Sequence, residues 1–174
     1  PSRLVWIAER NYRLKLPAFA ASILNYLSWK DGSQSFESMG ALTFATFTLT
    51  GSGEPEQFAG GRLSASLLPL LGLRPIAGRG FVEDDERPGA APVVLISDAM
   101  WRHRFDRDPA TLGRTIVLNG VSMTIVGIAP ASLALLSGGD SWRPLTIDPA
   151  HEMRMNHTIF AVGRLRPGLS LADA

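Results

Sequence analysis

Three histidines, one acidic run and a serine at a strand-to-helix junction are the residues of this 174-residue chain whose types could carry chemistry. A zinc site needs three or four nitrogen, sulfur or carboxylate ligands at recurring spacings. His103, His151 and His157 do not provide them. His151 and His157 stand six positions apart, off any helical face, in a stretch that reads as loop, and surface or hydrogen-bonded histidines are expected. The run Glu83-Asp84-Asp85-Glu86 has the composition of a calcium loop or of paired catalytic carboxylates. It lacks the alternating Asp-x-Asp-x-Asp-Gly ligand spacing, however, and lies in a polar, proline-bounded connection, so a solvated face is expected. No serine sits in Gly-x-Ser-x-Gly, and Ser97, the best placed, is more economically a helix cap. A hydrolase would have to assemble its site from distant residues, with Ser97, His103 and the acidic run as its only material.

Nucleotide sites fail on the same grounds. There is no Gly-x-x-x-x-Gly-Lys-Ser/Thr segment, and Gly51-Ser52-Gly53 is followed by Glu54-Pro55 rather than by a helix carrying a third glycine. The absence of cysteine removes disulfides, thiol catalysis and cysteine-ligated metals. The chain is therefore read as non-enzymatic, with no catalytic residue, no cofactor and no metal, and with its ligand-binding residues unassigned. The tryptophans Trp6, Trp29, Trp101 and Trp142 are dispersed and are expected to anchor the core, except that Trp142, after Gly138-Gly139-Asp140, could stand at a pocket rim.

Apolar residues at 45% and charged residues at 19% are globular usage and leave little room for disorder. The length suits one domain or two closely packed subdomains, burying roughly 70% of the unfolded surface. A formal charge of +1 argues against nucleic acid, whose phosphates call for clustered cations. Only Lys15 and Lys30 are lysines among the 17 basic residues, an arginine excess with a genomic-composition explanation. The longest apolar stretches, residues 67–73 and 93–96, fall far short of the roughly 18 residues a membrane helix needs.

The elements that must position these residues follow from local pattern. Residues 4–7 read as a first strand, ended by polar Glu9-Arg10-Asn11. Ser22 caps a helix with Ile23, Tyr26 and Leu27 on one face, Lys30 near its end and Gly32 as its stop. Ser35, with Glu37 in the first turn, predicts a second short helix that breaks near Gly40. Residues 45–50 alternate, with Ala45, Phe47 and Leu49 opposed to three threonines, and predict a half-buried strand. A turn over residues 51–55 returns the chain as a hairpin partner over residues 57–63, weakened or bulged by Gly60-Gly61. Ser66 precedes a short helix ended by Gly72. Residues 93–96, apolar on both faces, predict a central strand that leads into a helix capped by Ser97, with Trp101 and Phe105 facing the core. Asp108-Pro109 has the form of a capped short turn. Asn119-Gly120 is the favoured pair for a type I′ hairpin, which sets Leu118 opposite Val121, Val117 opposite Ser122 and Ile116 opposite Met123. One face, Ile116, Leu118, Val121, Met123 and Ile125, then belongs against the core, and Thr115, Ser122 and Thr124 on the wetter side. Residues 159–165 form the last strand. The sum is α+β: a mixed, largely antiparallel sheet with short helices packed on it, with two closely packed βαβ-type subdomains as a variant of that plan.

The order and spacing of several short segments resemble the MacB-like periplasmic core domain, the extracytoplasmic module of ABC-transporter permeases of the MacB/FtsX-like kind. The segments are Arg3-Leu4-Val5-Trp6, Tyr26-Leu27-Ser28-Trp29-Lys30-Asp31 with Ser35-Phe36-Glu37, and residues 51–55. They continue through Gly72-Leu73-Arg74-Pro75, Gly78-Arg79-Gly80-Phe81, residues 88–97, Trp101-Arg102-His103-Arg104-Phe105, Leu118-Asn119-Gly120, Val126-Gly127-Ile128-Ala129-Pro130 and Arg164-Leu165-Arg166-Pro167-Gly168. The resemblance implies one extracytoplasmic core domain over residues 1–174. The start at Pro1 and the stop just after a helix cap at Ser170 then read as those of a fragment of a longer membrane permease. It further implies a non-catalytic role, coupling ATP hydrolysis by a cytosolic ATPase subunit to substrate export or to a periplasmic partner protein. The full-length permease would work as a dimer in the inner membrane, with this domain on its outer, periplasmic side. A rival reading is a free-standing module that binds a peptide or small ligand, in a groove near Trp142 or along an open sheet edge beside residues 45–50.

Overall fold

The computed structural model describes every residue except Pro1, Ser2, Tyr12, Leu14, Ser52 and Ala174. Ser52, within the predicted turn, and the two chain ends thus lie outside the described residues. Short strands β1 (Leu4–Ile7), β2 (Glu9–Asn11), β3 (Leu16–Phe19) and β4 (Ala21–Ser22) precede α1 (Ile23–Gly32). The long β5 (Phe36–Thr50) and β6 (Glu56–Leu63) lead to α2 (Leu67–Leu71) and β7 (Ala77–Gly78). A 3-10 turn at Glu83–Glu86 precedes β8 (Val93–Ser97), α3 (Asp98–Phe105), β9 (Thr115–Leu118) and β10 (Val121–Ala129). Helix α4 (Ala131–Ser137), β11 (Ser141–Pro144) and β12 (His157–Leu165) complete the order. The architecture is α+β with a mostly antiparallel main sheet, as expected.

Local signals placed most elements correctly because their physics is short-range. The Ser22 hydroxyl accepts the Asn25 N–H at 3.2 Å, and the Ser97 hydroxyl accepts that of Met100 at 2.9 Å, so both serines cap their helices. Asn119 and Gly120 both have positive φ, 51° and 76°, and β9 and β10 pair in the predicted register. Val121 is the exception on that hairpin's apolar face: it stands beside the turn and is 38% exposed. The polar Glu9-Arg10-Asn11 segment does not end strand structure but forms β2, paired with β3.

The helix predicted at Ser35 is instead the first half of β5. Residues from Phe36 to Leu42 pair with β12, Leu42 to Leu49 with β6, and Leu49 and Thr50 with β9. Pairing along a 15-residue strand outweighs one cap signal, because burial against neighbours decides strand stability more than local preference does. Strands β5, β6, β11, β8, β10 and β9 each pair with the next, and β9 returns to β5, closing a barrel-like circuit. Phe47, Leu49, Val94, Ile96, Leu118, Met123, Ile125 and Ile128 form one buried cluster of these strands, and Met100 of α3 joins it. On the other side, α2 and α4 cover Leu42, Leu63, Leu95, Trp142 and Val162. A third cluster joins α1 to β4, β5 and β12 through Ile23, Tyr26, Ala41, Ile159 and Ala161.

Gly60-Gly61 does not bulge β6, whose register with β5 is unbroken. Gly60 lets β11 come close: a Cβ there would lie 2.1 Å from the Ser141 carbonyl oxygen, and one on Gly139 would lie 2.5 Å from the Gly60 Cα, while a Cβ on Gly61 would lie 2.2 Å from the Thr43 carbonyl oxygen of β5. No rotamer relieves a clash with backbone. Gly60→Ala is therefore expected to cost more than about 2 kcal/mol in urea unfolding, while Ser122→Ala on the exposed hairpin stays within about 0.5 kcal/mol. Equal costs at the two positions would show that the β6–β11 approach is not tightly packed.

Candidate functional site

The three histidines sit on separate elements. His103 is exposed on α3, at the edge of a groove of about 790 Å³ that it lines with Glu56, Phe58, Arg104 and Arg114. Across this groove Arg104 holds the Glu56 carboxylate at 2.5 Å and lies 5.9 Å from the centre of the Phe58 ring. His151 is exposed beside Asp148, with Nδ1 and Oδ2 2.8 Å apart, and that contact holds the aspartate's carboxyl below its usual range. His157 is not in a loop: it begins β12. Its Nε2 lies 3.0 Å from Glu9 Oε2, and the Phe19 ring packs edge-on at 4.9 Å. Glu9 Oε1 accepts both the Ser22 N–H and the Asn25 side-chain N–H, each at 2.8 Å. This cluster ties β2 and β3 to the start of α1 and to β12. Among the described residues no group of three or more histidine, aspartate or glutamate side chains converges as a metal site would require.

Ser97 is buried, and its hydroxyl donates to Asp140 Oδ1 at 2.6 Å while capping α3. A serine nucleophile needs a base that takes its proton and is then oriented by a third group. Here the proton goes to a carboxylate directly, with no imidazole between them, so the pair joins α3 to the segment entering β11. The other parts of the imagined hydrolase lie elsewhere on the surface.

The acidic run is not a uniformly solvated face. Arg79 grips Asp85 through two contacts, 2.6 and 3.0 Å, and the Val82 N–H donates to the same carboxylate at 2.9 Å. Partial burial pushes the Asp85 carboxyl up, but the guanidinium and the backbone donor together outweigh it and hold the group below its ordinary value. Glu86 accepts the Ala65 N–H at 2.7 Å, and burial keeps its carboxyl above its ordinary value despite that bond. Two of the four carboxylates therefore fasten the 3-10 turn to neighbouring chain, and Asp84 makes an exposed pair with Arg87 at 3.0 Å. Sequence spacing carried no signal for these long-range partners.

Trp142 lines no groove. It is fully buried, and its indole N–H donates to the Ser137 hydroxyl at 2.8 Å, inside the core under α4. The sheet edge beside residues 45–50 is closed in part, since β9 pairs with Leu49 and Thr50, and the Asn119 side chain accepts the Thr48 N–H at 2.7 Å. Trp6, expected in the core, is 64% exposed because β1 pairs with β12 on one side only. With Leu136 and Val162 it borders an apolar groove of about 200 Å³, and Phe44 and Phe160 stack edge-on across the same sheet, their centres 5.3 Å apart. No periodicity marked this surface, because its members come from four separate segments.

Among the described residues the chain thus offers grooves and exposed apolar surface on a braced sheet, and the contact of Ser97 with Asp140 within it is a buried fastening. The family model of the MacB-like periplasmic core domain matches residues 12–174. The chain belongs to this family. Solved structures agree in fold. The periplasmic region of MacB from Actinobacillus actinomycetemcomitans is 14% identical, with a TM-score of 0.69 over 97% of this chain and 77% of that one. The extracellular domain of the noncanonic ABC-type transporter YknZ from Gram-positive bacteria is 13% identical, with a TM-score of 0.63 over 95% and 83%. A domain of a permease from Porphyromonas gingivalis is 18% identical, with a TM-score of 0.60 over 87% and 65%. No curated protein sequence matches the chain significantly. The MacB-like core domain is a module of ABC-transporter permeases, a family whose periplasmic part is generally non-catalytic.

The two partly buried carboxylates of the acidic run should act on stability in opposite senses. Asp85, held below its ordinary value, contributes stability that is present above the unfolded value and lost as pH falls through the folded one. Glu86, held above its ordinary value, favours the fold most below the unfolded value, and that contribution is lost as pH rises through the folded one. Urea unfolding between about pH 3 and pH 7 should show Asp85→Asn with a shallower loss on acidification, and Glu86→Gln without the decline above the ordinary glutamate value. Identical pH slopes in both variants and the parent would contradict the assignment.

Proposed function

We propose that residues 1–174 form one extracytoplasmic domain of an ABC-transporter permease subunit, and that it works mechanically rather than catalytically. In this reading, transmembrane helices of the full-length protein anchor the domain outside the cytoplasmic membrane, and a cytosolic ATPase subunit drives them. The domain then passes their displacement to an exported substrate or to a periplasmic partner, in a permease that works as a dimer. The observation that carries the reading is the family match across residues 12–174. Two further features support it. No helix among the described residues is long and apolar enough to cross a membrane, which suits the part of a permease that stands outside the bilayer. The sheet is braced by helices and shared glycine contacts, which suits a body that must move without deforming.

The rival free-standing binding module loses one of its sequence-based anchors, since Trp142 is buried, and part of the other, since the edge at Thr48 to Thr50 is covered. The discriminating experiment uses antibody raised against the domain to follow the native gene product in its source cells. After alkaline carbonate washing of membranes the protein is expected in the pellet, with this domain open to protease added outside the cytoplasmic membrane. Recovery in the carbonate supernatant, or protection from that protease, would overturn the proposal.

A further inference from the structure

Strands β6 and β11 run parallel with Arg62 registered to Arg143. Registered residues on adjacent strands share a face, and the strands lie about 4.8 Å apart, so the two arginine side chains leave the sheet as neighbours on one face. Like charges so placed repel. Among the described residues neither has a carboxylate within ion-pair distance, whereas Arg79, Arg102, Arg104 and Arg114 each hold one. Arg143 is also half-buried, and that burial, with Arg62 adding to it, pulls its guanidinium below its ordinary value.

Arg143 lines a polar cavity of about 210 Å³ together with Arg87, Thr146, Asp85 and the loop over residues 89–92. The carboxylate in that wall is already neutralised, since Asp85 is gripped by Arg79 and by the Val82 N–H. Arg87 reaches Asp84 only through a pair in which both side chains are 75% exposed, a contact that a better-placed anion can replace at little cost. The cavity wall thus sets Arg87 and Arg143 against Asp85, whose charge Arg79 already answers, and Arg62 stands on the strand beside Arg143. A planar guanidinium presents paired N–H donors that match two oxygens of one acid group.

We propose that Arg143 and Arg62, with Arg87 at the rim, form a binding site for a small oxyanion of the phosphate or carboxylate class. Bound there, the anion neutralises the facing arginines and joins β6 and β11 to the loop before β8. The site is independent of the permease reading.

The test follows thermal unfolding of the 174-residue chain against inorganic phosphate, citrate and chloride at constant ionic strength. Phosphate, citrate or both are expected to raise Tm saturably by about 3 °C or more, with chloride giving no comparable rise. A response to one anion alone assigns the class. Arg143→Gln and Arg62→Gln should each abolish most of the rise, and Arg143→Gln should raise the anion-free Tm by relieving the repulsion. Arg102→Gln, on α3 and paired with Asp98, should keep the full response. Should Arg143→Gln fail to fold, the exposed Arg62→Gln carries the comparison. Equal rises with chloride, no rise at all, or an undiminished rise in Arg62→Gln would overturn the proposal.

Discussion

Strand β5 holds hydrogen-bonded partners along its whole length, and no other element could replace it. Its first half is registered with β12, its second half with β6, and its last two residues with β9. The same 15 residues therefore bring Ala41 to the cluster under α1, Leu42 to the cluster under α2 and α4, and Phe47 and Leu49 to the cluster of the closed circuit. Three cores share one backbone. A displacement applied near β1 and β12 reaches β9 through continuous covalent chain and sheet pairing, without crossing a loop.

That continuity is also why one part of the chain was misread. The helix ends and the tight hairpin that were predicted correctly rested on interactions closed within a few residues: the hydroxyl caps at Ser22 and Ser97, the left-handed pair Asn119 and Gly120, and the left-handed Gly72 after α2. Ser35 and Glu37 carry similar local marks of a helix start. They are overridden by β12, which arrives more than a hundred residues later and pairs with Phe36 through Leu42. Gly60 looked like a weak point of a hairpin, and its reason proves equally distant, in the carbonyl of Ser141 and the strand that carries it, whereas Gly61 gives room to the Thr43 carbonyl of its own hairpin partner.

The candidate residues show the same division. Spacing argues against a metal site and a nucleotide loop, because those chemistries demand local ligand patterns. It was silent on what the polar residues do instead. Ser97 with Asp140, Glu86 with the Ala65 N–H and His157 with Glu9 are all long-range fastenings between elements. Trp142 takes a core place and Trp6, expected in the core, the surface for a topological reason: β11 is a central strand roofed by α4, and β1 is an edge strand. The polar residues that sequence analysis weighed as chemistry mostly brace the sheet, which fits a domain whose family membership is that of a transporter module.

If the domain moves as one body, β5 must open only with the whole molecule. Native-state amide hydrogen exchange tests this most directly, by comparing the free energies of opening for β5 amides paired with β12 and those paired with β6. The account predicts a common value for Ala41 through Leu49, equal to the global unfolding free energy. Two separate values, with the β12-paired half opening well before the half in the closed circuit, would show that the halves move independently and would contradict transmission through β5.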